Sequence, residues 1–358
     1  MTAKAKPPTF KKSSREMSPS VLRQATIRKL PNRLTGKAEI LLPAVPGLVD
    51  HYVQGLNASW LALGRRFSPA ELEYLTEVLG NTLKQAFDAS PYSRVSVKYE
   101  TDPPPKTSLT WNIAICHSTI EDEYAEWVAA RTPPLFGSHP DAKLMDLARS
   151  LGAPNEVSVL DVGAGTGRNT IALANEGFQT DAVELAPSLA KILREDVESK
   201  NLPVRVYEGN ILDPELPVPA ASYDIMLLAE VVASHFRTAQ QIRTLFEAAE
   251  RLLKPNGILL FSAFTALDGY KPDDVVRQMS QIMWCCVFPR REIQDAIAGL
   301  PFVLLSDESA LEYEKAHNPP EERPPTGWYE GWTAGQDLFD LHASKSPVEM
   351  RWFAYRKL

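Results

Sequence analysis

The stretch Ser158–Thr170, SVLDVGAGTGRNT, decides how the chain is read. Val159, Leu160 and Val162 are the apolar residues of a strand buried on both faces. Asp161 interrupts them just before the turn, and a buried carboxylate is costly without a polar partner, so one is expected. Gly163, Gly165 and Gly167 then let the backbone reverse and approach a ligand with no Cβ in the way. In open α/β sheets, ligands sit beyond the carboxyl ends of the strands, which puts the site above this turn. Dinucleotide folds space their glycines G-x-G-x-x-G and set a pyrophosphate on the helix that follows. Here the spacing is G-x-G-x-G. The acid beside it would repel a pyrophosphate and suits a compact ligand carrying positive charge.

Working outward, strands and helices alternate on both sides of this turn. VSVLDVG, a helix near 168–176, TDAVEL, a helix near 187–199, VRVYEG, YDIMLLAEV, a helix near 238–253 and GILLFSAF follow in order. Such alternation predicts a parallel sheet wrapped by helices. FVLLSDES, a Pro- and Trp-rich stretch and VEMRWFAYRKL close the chain. Upstream, the chain has two further segments. Residues 1–37 hold ten Lys or Arg against one acid, Glu16, and are read as a basic, disordered tail. Residues 38–118 read as a small α+β accessory unit. One helix is expected within Val45–Leu63. A second starts at Ser68 with Pro69 and a Glu71 capping box, and a hairpin follows around DPPPK. No motif in this unit carries chemistry.

Of the 358 residues, 44% are hydrophobic, enough for a sizeable core. The net charge of −7 splits into a basic start and a body at −16. An acidic body argues against a phosphate-backbone partner, and a basic arm suits an acidic protein. No apolar window is long enough to cross a membrane. Three cysteines, Cys116, Cys285 and Cys286, have no metal-ligand spacing, and neither do the histidines, so no metal is expected. The odd cysteine count and the absence of a signal sequence point to the cytoplasm.

At VLDVGAGTG the sequence resembles the first motif of the class I S-adenosylmethionine-dependent methyltransferases, and the resemblance runs in order over residues 119–358. It implies a Rossmann-like sheet of seven strands with the last strand antiparallel, S-adenosylmethionine as cofactor and transfer of its methyl group to an acceptor. It also implies site residues. Asp161 and the three glycines shape the turn, and Asp161 faces the amino end of the cofactor. Glu184 holds the ribose hydroxyls. Asn210, where the family often has an acid, accepts from the adenine amino group, and Ile211 packs on the adenine. SYDIMLLAEVVASHF resembles the fourth motif and places Glu230 beside the methionine part. RLLKPNGILLF resembles the fifth, with Gly257 making the turn. Arg168–Thr170 with Gly167, GRNT, is similar to tellurite- and thiol-type methylases.

His235 follows the fourth strand on the ligand side. It serves either as a general base or as a lining residue. Tyr124 and Trp127 lie on a helix that can fold over the cofactor or simply pack. TGWYEGW, Thr326–Trp332, is read as a substrate lid or as an aromatic anchor. LAEV in place of Asn-Pro-Pro-Tyr departs from most DNA-adenine and glutamine methylases. Residues 121–152 nevertheless resemble the phycobilisome asparagine methylases, which implies an asparagine of a phycobiliprotein as acceptor. The alternatives are a small molecule methylated on O, N or C, and a non-catalytic binding protein that kept the fold.

Overall fold

The computed structural model describes residues 18–358 apart from 107, 268 and 324–327. It divides into two compact units. The smaller comprises the described residues up to Leu42, with Val49–Leu79 and Ser96–Ala114. The larger comprises Pro43–Leu48, Gly80–Val95 and Ile115–Leu358.

In the smaller unit, β1 (Lys37–Pro43), β2 (Arg94–Thr101) and β3 (Leu109–Cys116) form a three-stranded sheet in that order. The hairpin expected around DPPPK is the β2–β3 pair; β1 joins from a stretch read as the end of the basic tail. Within that tail, Pro19–Ile27 is helical, with Ser18 accepting from the Val21 N–H. The Pro69–Ala89 helix starts as its capping box requires: Glu71 accepts from the Ser68 N–H at 2.7 Å, and Ser68 Oγ accepts from the Glu71 N–H. Trp60 is fully buried against Phe67 and Tyr99.

The larger unit is built on seven further strands: β4 (Ser158–Val162), β5 (Gln179–Glu184), β6 (Arg205–Glu208), β7 (Tyr223–Leu228), β8 (Leu253–Ala266), β9 (Phe302–Ser309) and β10 (Val348–Lys357). Their order is β6-β5-β4-β7-β8-β10-β9. β4, β5, β6, β7 and β8 pair in parallel, whereas β10 lies antiparallel to β8 and β9. The fold is thus the α/β, seven-stranded sheet with a reversed last strand. The chain runs outward from β4 in one direction and then returns through β7 in the other. That reversal is where open α/β sheets bind their ligands.

Strand alternation sorts side chains to two cores. Leu160, Val162, Met226, Leu228, Leu259, Phe261, Phe353 and Tyr355 share one, against the Ala239–Leu252 helix. Val159, Ile225, Leu227, Ile258, Leu260, Trp352 and Ala354 share the other, with Leu144 and Met145 of the Ala142–Leu151 helix. One expectation is corrected. Gly257 does not make the turn into β8. Asn256 takes the left-handed backbone there, at φ 64°. Gly257 is needed instead for close approach, since a Cβ would come within 2.9 Å of the Lys254 carbonyl and 3.0 Å of the Tyr223 carbonyl.

Phe246 is fully buried and meets Phe261, Phe302 and Tyr355 edge-on. Phe246→Ala is expected to lower the unfolding free energy by about 3–5 kcal/mol, read as an earlier urea midpoint with unchanged slope.

Candidate active site

The glycine turn is fastened to β5 by backbone and side chain together. The Gly163 and Ala164 N–H groups both donate to the Val183 carbonyl, at 2.8 and 3.1 Å. Glu184 accepts from the Gly165 N–H at 2.7 Å with one oxygen and from the Ala186 N–H at 2.8 Å with the other. Gly163 has φ 71°, and a Cβ on it would lie 2.2 Å from Val231 Cγ2. The turn therefore requires glycine for both conformation and space. Gly167, at φ 95°, starts the Arg168–Glu176 helix and stands outside the cavity lining.

A cavity of about 620 Å³ opens above this turn. It brings together Asp161, Gly163, Gly165, Glu184, Asn210, Ile211, Glu230 and His235, the other residues singled out from the sequence. Asp161 is buried, and the partner it needs is Thr170, whose hydroxyl donates to it at 2.6 Å. Burial pushes Asp161 up to about 6 despite that bond. Burial also raises Glu184, against the bonds from Ala186 and Gly165. Asn210 folds its side chain back, so that its amide oxygen accepts from the Leu212 N–H at 2.9 Å.

Arg168 holds this end of the cavity in register. Its guanidinium bonds both oxygens of Asp141 at 3.0 Å and reaches Glu230 at 3.1 Å. Burial works against its charge, but Asp141 and Glu230 outweigh that and raise it. Asn169 donates to Asp141 at 2.8 Å and accepts from the Asp141 N–H at 2.9 Å. GRNT therefore reads, residue by residue, as a helix start, a buried cation, an amide clamp and the partner of Asp161. Glu230 sits left-handed at φ 65°, with its N–H donating to Ser262 Oγ at 2.7 Å. Burial raises its pKa against the pull of Arg168.

His235 ends the short Val231–His235 helix and bridges two tyrosines. Its Nδ1 lies 2.9 Å from the Tyr92 hydroxyl and its Nε2 2.9 Å from the Tyr124 hydroxyl. Burial lowers His235 to about 3. The imidazole is neutral, so one ring N–H donates to a tyrosine and the other nitrogen accepts from the second. Burial likewise raises both tyrosines, so their hydroxyls keep their protons. Trp284 lies edge-on to His235 at 5.1 Å and to Tyr124 at 5.5 Å, and stacks on Trp127 at 4.9 Å. The aromatic insert does two things. Tyr329 is buried, and Trp332 packs on Phe264 while donating to the Trp284 carbonyl at 3.0 Å. Trp328 lines the cavity and is exposed. Thr326 and Gly327 of that motif lie outside the described residues.

Sequence reasoning missed Tyr92, Asp141, Arg168 and Trp284 as parts of the site. Tyr92 came from a segment read as lacking chemistry, yet Gly80–Val95 groups with the larger unit. Asp141 and Trp284 are remote in sequence from the motifs. Only Arg168 had a local signal, inside the quoted turn. Among the described residues, no cluster of His, Cys, Asp and Glu could hold a metal. No described helix is long and apolar enough to cross a membrane.

Residues 159–257 match the family described as methyltransferase domain. A methyltransferase-named protein of Geobacillus sp. (strain WCH70) is 26% identical over 127 residues, 36% of this chain and 49% of that relative. Demethylmenaquinone methyltransferase of Tropheryma whipplei (strain Twist) is 28% identical over 166 residues, 46% and 60% of the two chains. The chain thus matches about half to three-fifths of these relatives' length. Among solved structures, geranyl diphosphate C-methyltransferase from Streptomyces coelicolor A3(2), in complex with Mg2+, geranyl diphosphate and S-adenosyl-L-homocysteine, aligns with TM-score 0.46. It has 19% identity, over 66% of this chain and 84% of that one. The chain carries a class I, S-adenosylmethionine-dependent methyltransferase domain.

Arg168→Met would leave Asp141 and Glu230 as buried charges without their cation. A loss of about 3–5 kcal/mol is expected, seen as a fall in melting temperature at pH 8 that lessens as pH is lowered and the acids protonate.

Proposed function

We propose that the protein transfers the methyl group of S-adenosylmethionine to a small, largely apolar acceptor. One observation carries the cofactor half. Asp161, Glu184 and Glu230 line a single cavity, all raised by burial, and Arg168, the cation among them, is already matched by Asp141. Such a nook is short of positive charge. A ligand with a sulfonium and an ammonium group fits it, and a phosphate does not.

In this reading Asp161 and Glu230 serve the amino-acid end of the cofactor, and Gly163 and Gly165 allow its close approach. Glu184 offers its remaining lone pairs to the ribose, and Asn210 with Ile211 serves the adenine. The bound cofactor supplies a methyl group on positively charged sulfur, open to in-line attack. The chain contributes alignment and exclusion of water. Tyr92, Tyr124, Trp127 and Trp284 form walls that keep water from the acceptor, and the volume is that of a small-molecule site. His235 acts by fixing the Tyr92 and Tyr124 hydroxyls, which then orient the acceptor.

A protein asparagine as acceptor draws less support. The position where planar-nitrogen methylases carry Asn-Pro-Pro-Tyr holds Glu230, tied to Arg168. With methyl-labelled cofactor and an extract of the source cells, the label is expected in the small-molecule fraction. Label in protein would favour the asparagine reading, and absence of cofactor binding in calorimetry would leave only a scaffold.

Affinity for S-adenosylmethionine is expected to be level above about pH 7 and to fall as pH drops through about 6, where Asp161 takes up its proton. The sign for folding is opposite. A carboxyl raised from 3.8 to about 6 costs the empty protein up to about 3 kcal/mol above pH 6 and nothing below its unfolded value. Asp161→Asn should therefore melt no earlier than the parent at pH 7.5, yet bind the cofactor at least tenfold more weakly by calorimetry.

His235→Ala is expected to lower kcat by at least tenfold with cofactor affinity within twofold. Because His235 is held near 3, parental kcat should show no histidine step between pH 5 and 9. A step near 6.5 would restore the general-base role.

A further inference from the structure

Arg237 lines the same cavity but has none of the pairing that Arg168 enjoys. Its Nε donates to Gln281 Oε1 at 2.8 Å and its Nη2 to the Phe87 carbonyl at 2.7 Å. The guanidinium lies 4.9 Å over the Phe87 ring. All three contacts are to uncharged groups. They fix the plane of the guanidinium and leave its charge uncompensated. The carboxylate whose field reaches it is Asp88, which is exposed and already bridged by Lys84 at 2.6 Å. The other groups whose charge bears on it are Cys286 and Tyr92, both held protonated by burial; Asp161, Glu184 and Glu230 are not among them. Burial consequently lowers the Arg237 pKa.

A second cation lines the cavity on the aromatic wall: Arg131, whose guanidinium lies 3.8 Å over the Trp127 ring and has no carboxylate partner among the described residues. Two pocket cations without counter-charge stand out in a body whose net charge is −16. Half-burying an arginine against neutral acceptors is unfavourable unless a ligand supplies the anion.

We propose that Arg237 is the anchor for an anionic group on the methyl acceptor, making the acceptor an apolar, ring-bearing acid. This rests on the methyltransferase reading above and narrows it. Arg237 receives the carboxylate or phosphate, Trp284 and Tyr92 flank the ring, and Arg131 adds to the attraction at the aromatic wall. The ion pair lies apart from the acids that serve the cofactor, so one cavity accommodates a cationic cofactor and an anionic acceptor.

The test uses the full chain saturated with S-adenosylhomocysteine and three probes of one shape: 2-naphthoate, 2-naphthyl phosphate and 2-naphthamide. Binding is read by calorimetry and by quenching of tryptophan fluorescence. At least one anionic probe is expected to bind tenfold or more tightly than the amide, and the stronger of the two identifies the anion. Arg237→Met should abolish that preference while S-adenosylhomocysteine affinity stays within twofold, and Arg237→Lys should keep part of it. Equal binding of the three probes, no binding of any, or a preference that survives Arg237→Met would overturn the inference. Failure to bind S-adenosylhomocysteine at all would instead overturn the methyltransferase reading. If Arg237→Met does not fold, Arg131→Met provides the second arm, with a smaller loss of the same preference expected.

Discussion

The larger unit depends on one buried guanidinium. Arg168 ties the segment before the Ala142–Leu151 helix, through Asp141, to the end of β7, through Glu230, and does so from the first residue after the glycine turn. Three stretches of chain far apart in sequence are thereby referred to one planar group. Coulomb attraction is strong in such a place because water is excluded, and it is useful only because each lone pair and each N–H is met. Asn169 and Thr170 extend the arrangement to Asp141 and Asp161, so the turn that shapes the cavity is also the hub of its polar scaffold.

The two sides of the cavity are built in different ways. The cofactor side comes from the ends of adjacent parallel strands, whose spacing is set by the sheet ladder. Glu184 illustrates this: it spends its carboxylate on the N–H groups of Gly165 and Ala186, and so orders the loop before any ligand arrives. The acceptor side comes from side chains on separated segments. Tyr92, Tyr124, His235 and Trp284 meet through edge-on rings and two hydroxyl contacts at 2.9 Å. The first construction tolerates little change. The second depends on packing among rings and can vary with the acceptor.

That difference explains what could be read from the sequence. The strand order of the large sheet, the glycine turn and the placement of Asp161, Glu184 and Glu230 follow from local periodicity and from short motifs, which carry their own spacing. Arg168 lay in plain view, but its meaning needed Asp141, 27 residues earlier, and a lone arginine at a helix start otherwise reads as a solvated charge. Tyr92 was hidden because it belongs to a segment between a helix and a strand that has no motif. Trp284 beside Cys285 and Cys286 looked like ordinary core. β1 was missed because KAEILLP is short, begins in the basic run and ends in proline. Gly257 showed the opposite error, where the glycine was credited with a turn that Asn256 makes.

Trp284 has a backbone φ of 57°, a left-handed conformation that bulky residues rarely hold. Strain of this kind is of the order of 1–3 kcal/mol and persists only where the surroundings enforce it. Replacement by glycine or asparagine would release that strain even as it removed the indole, so the two effects partly offset. Natural drift or laboratory selection at this one codon could thus enlarge the chamber at modest thermodynamic expense. A lineage carrying this architecture would be able to change what it methylates long before it altered how it holds the donor.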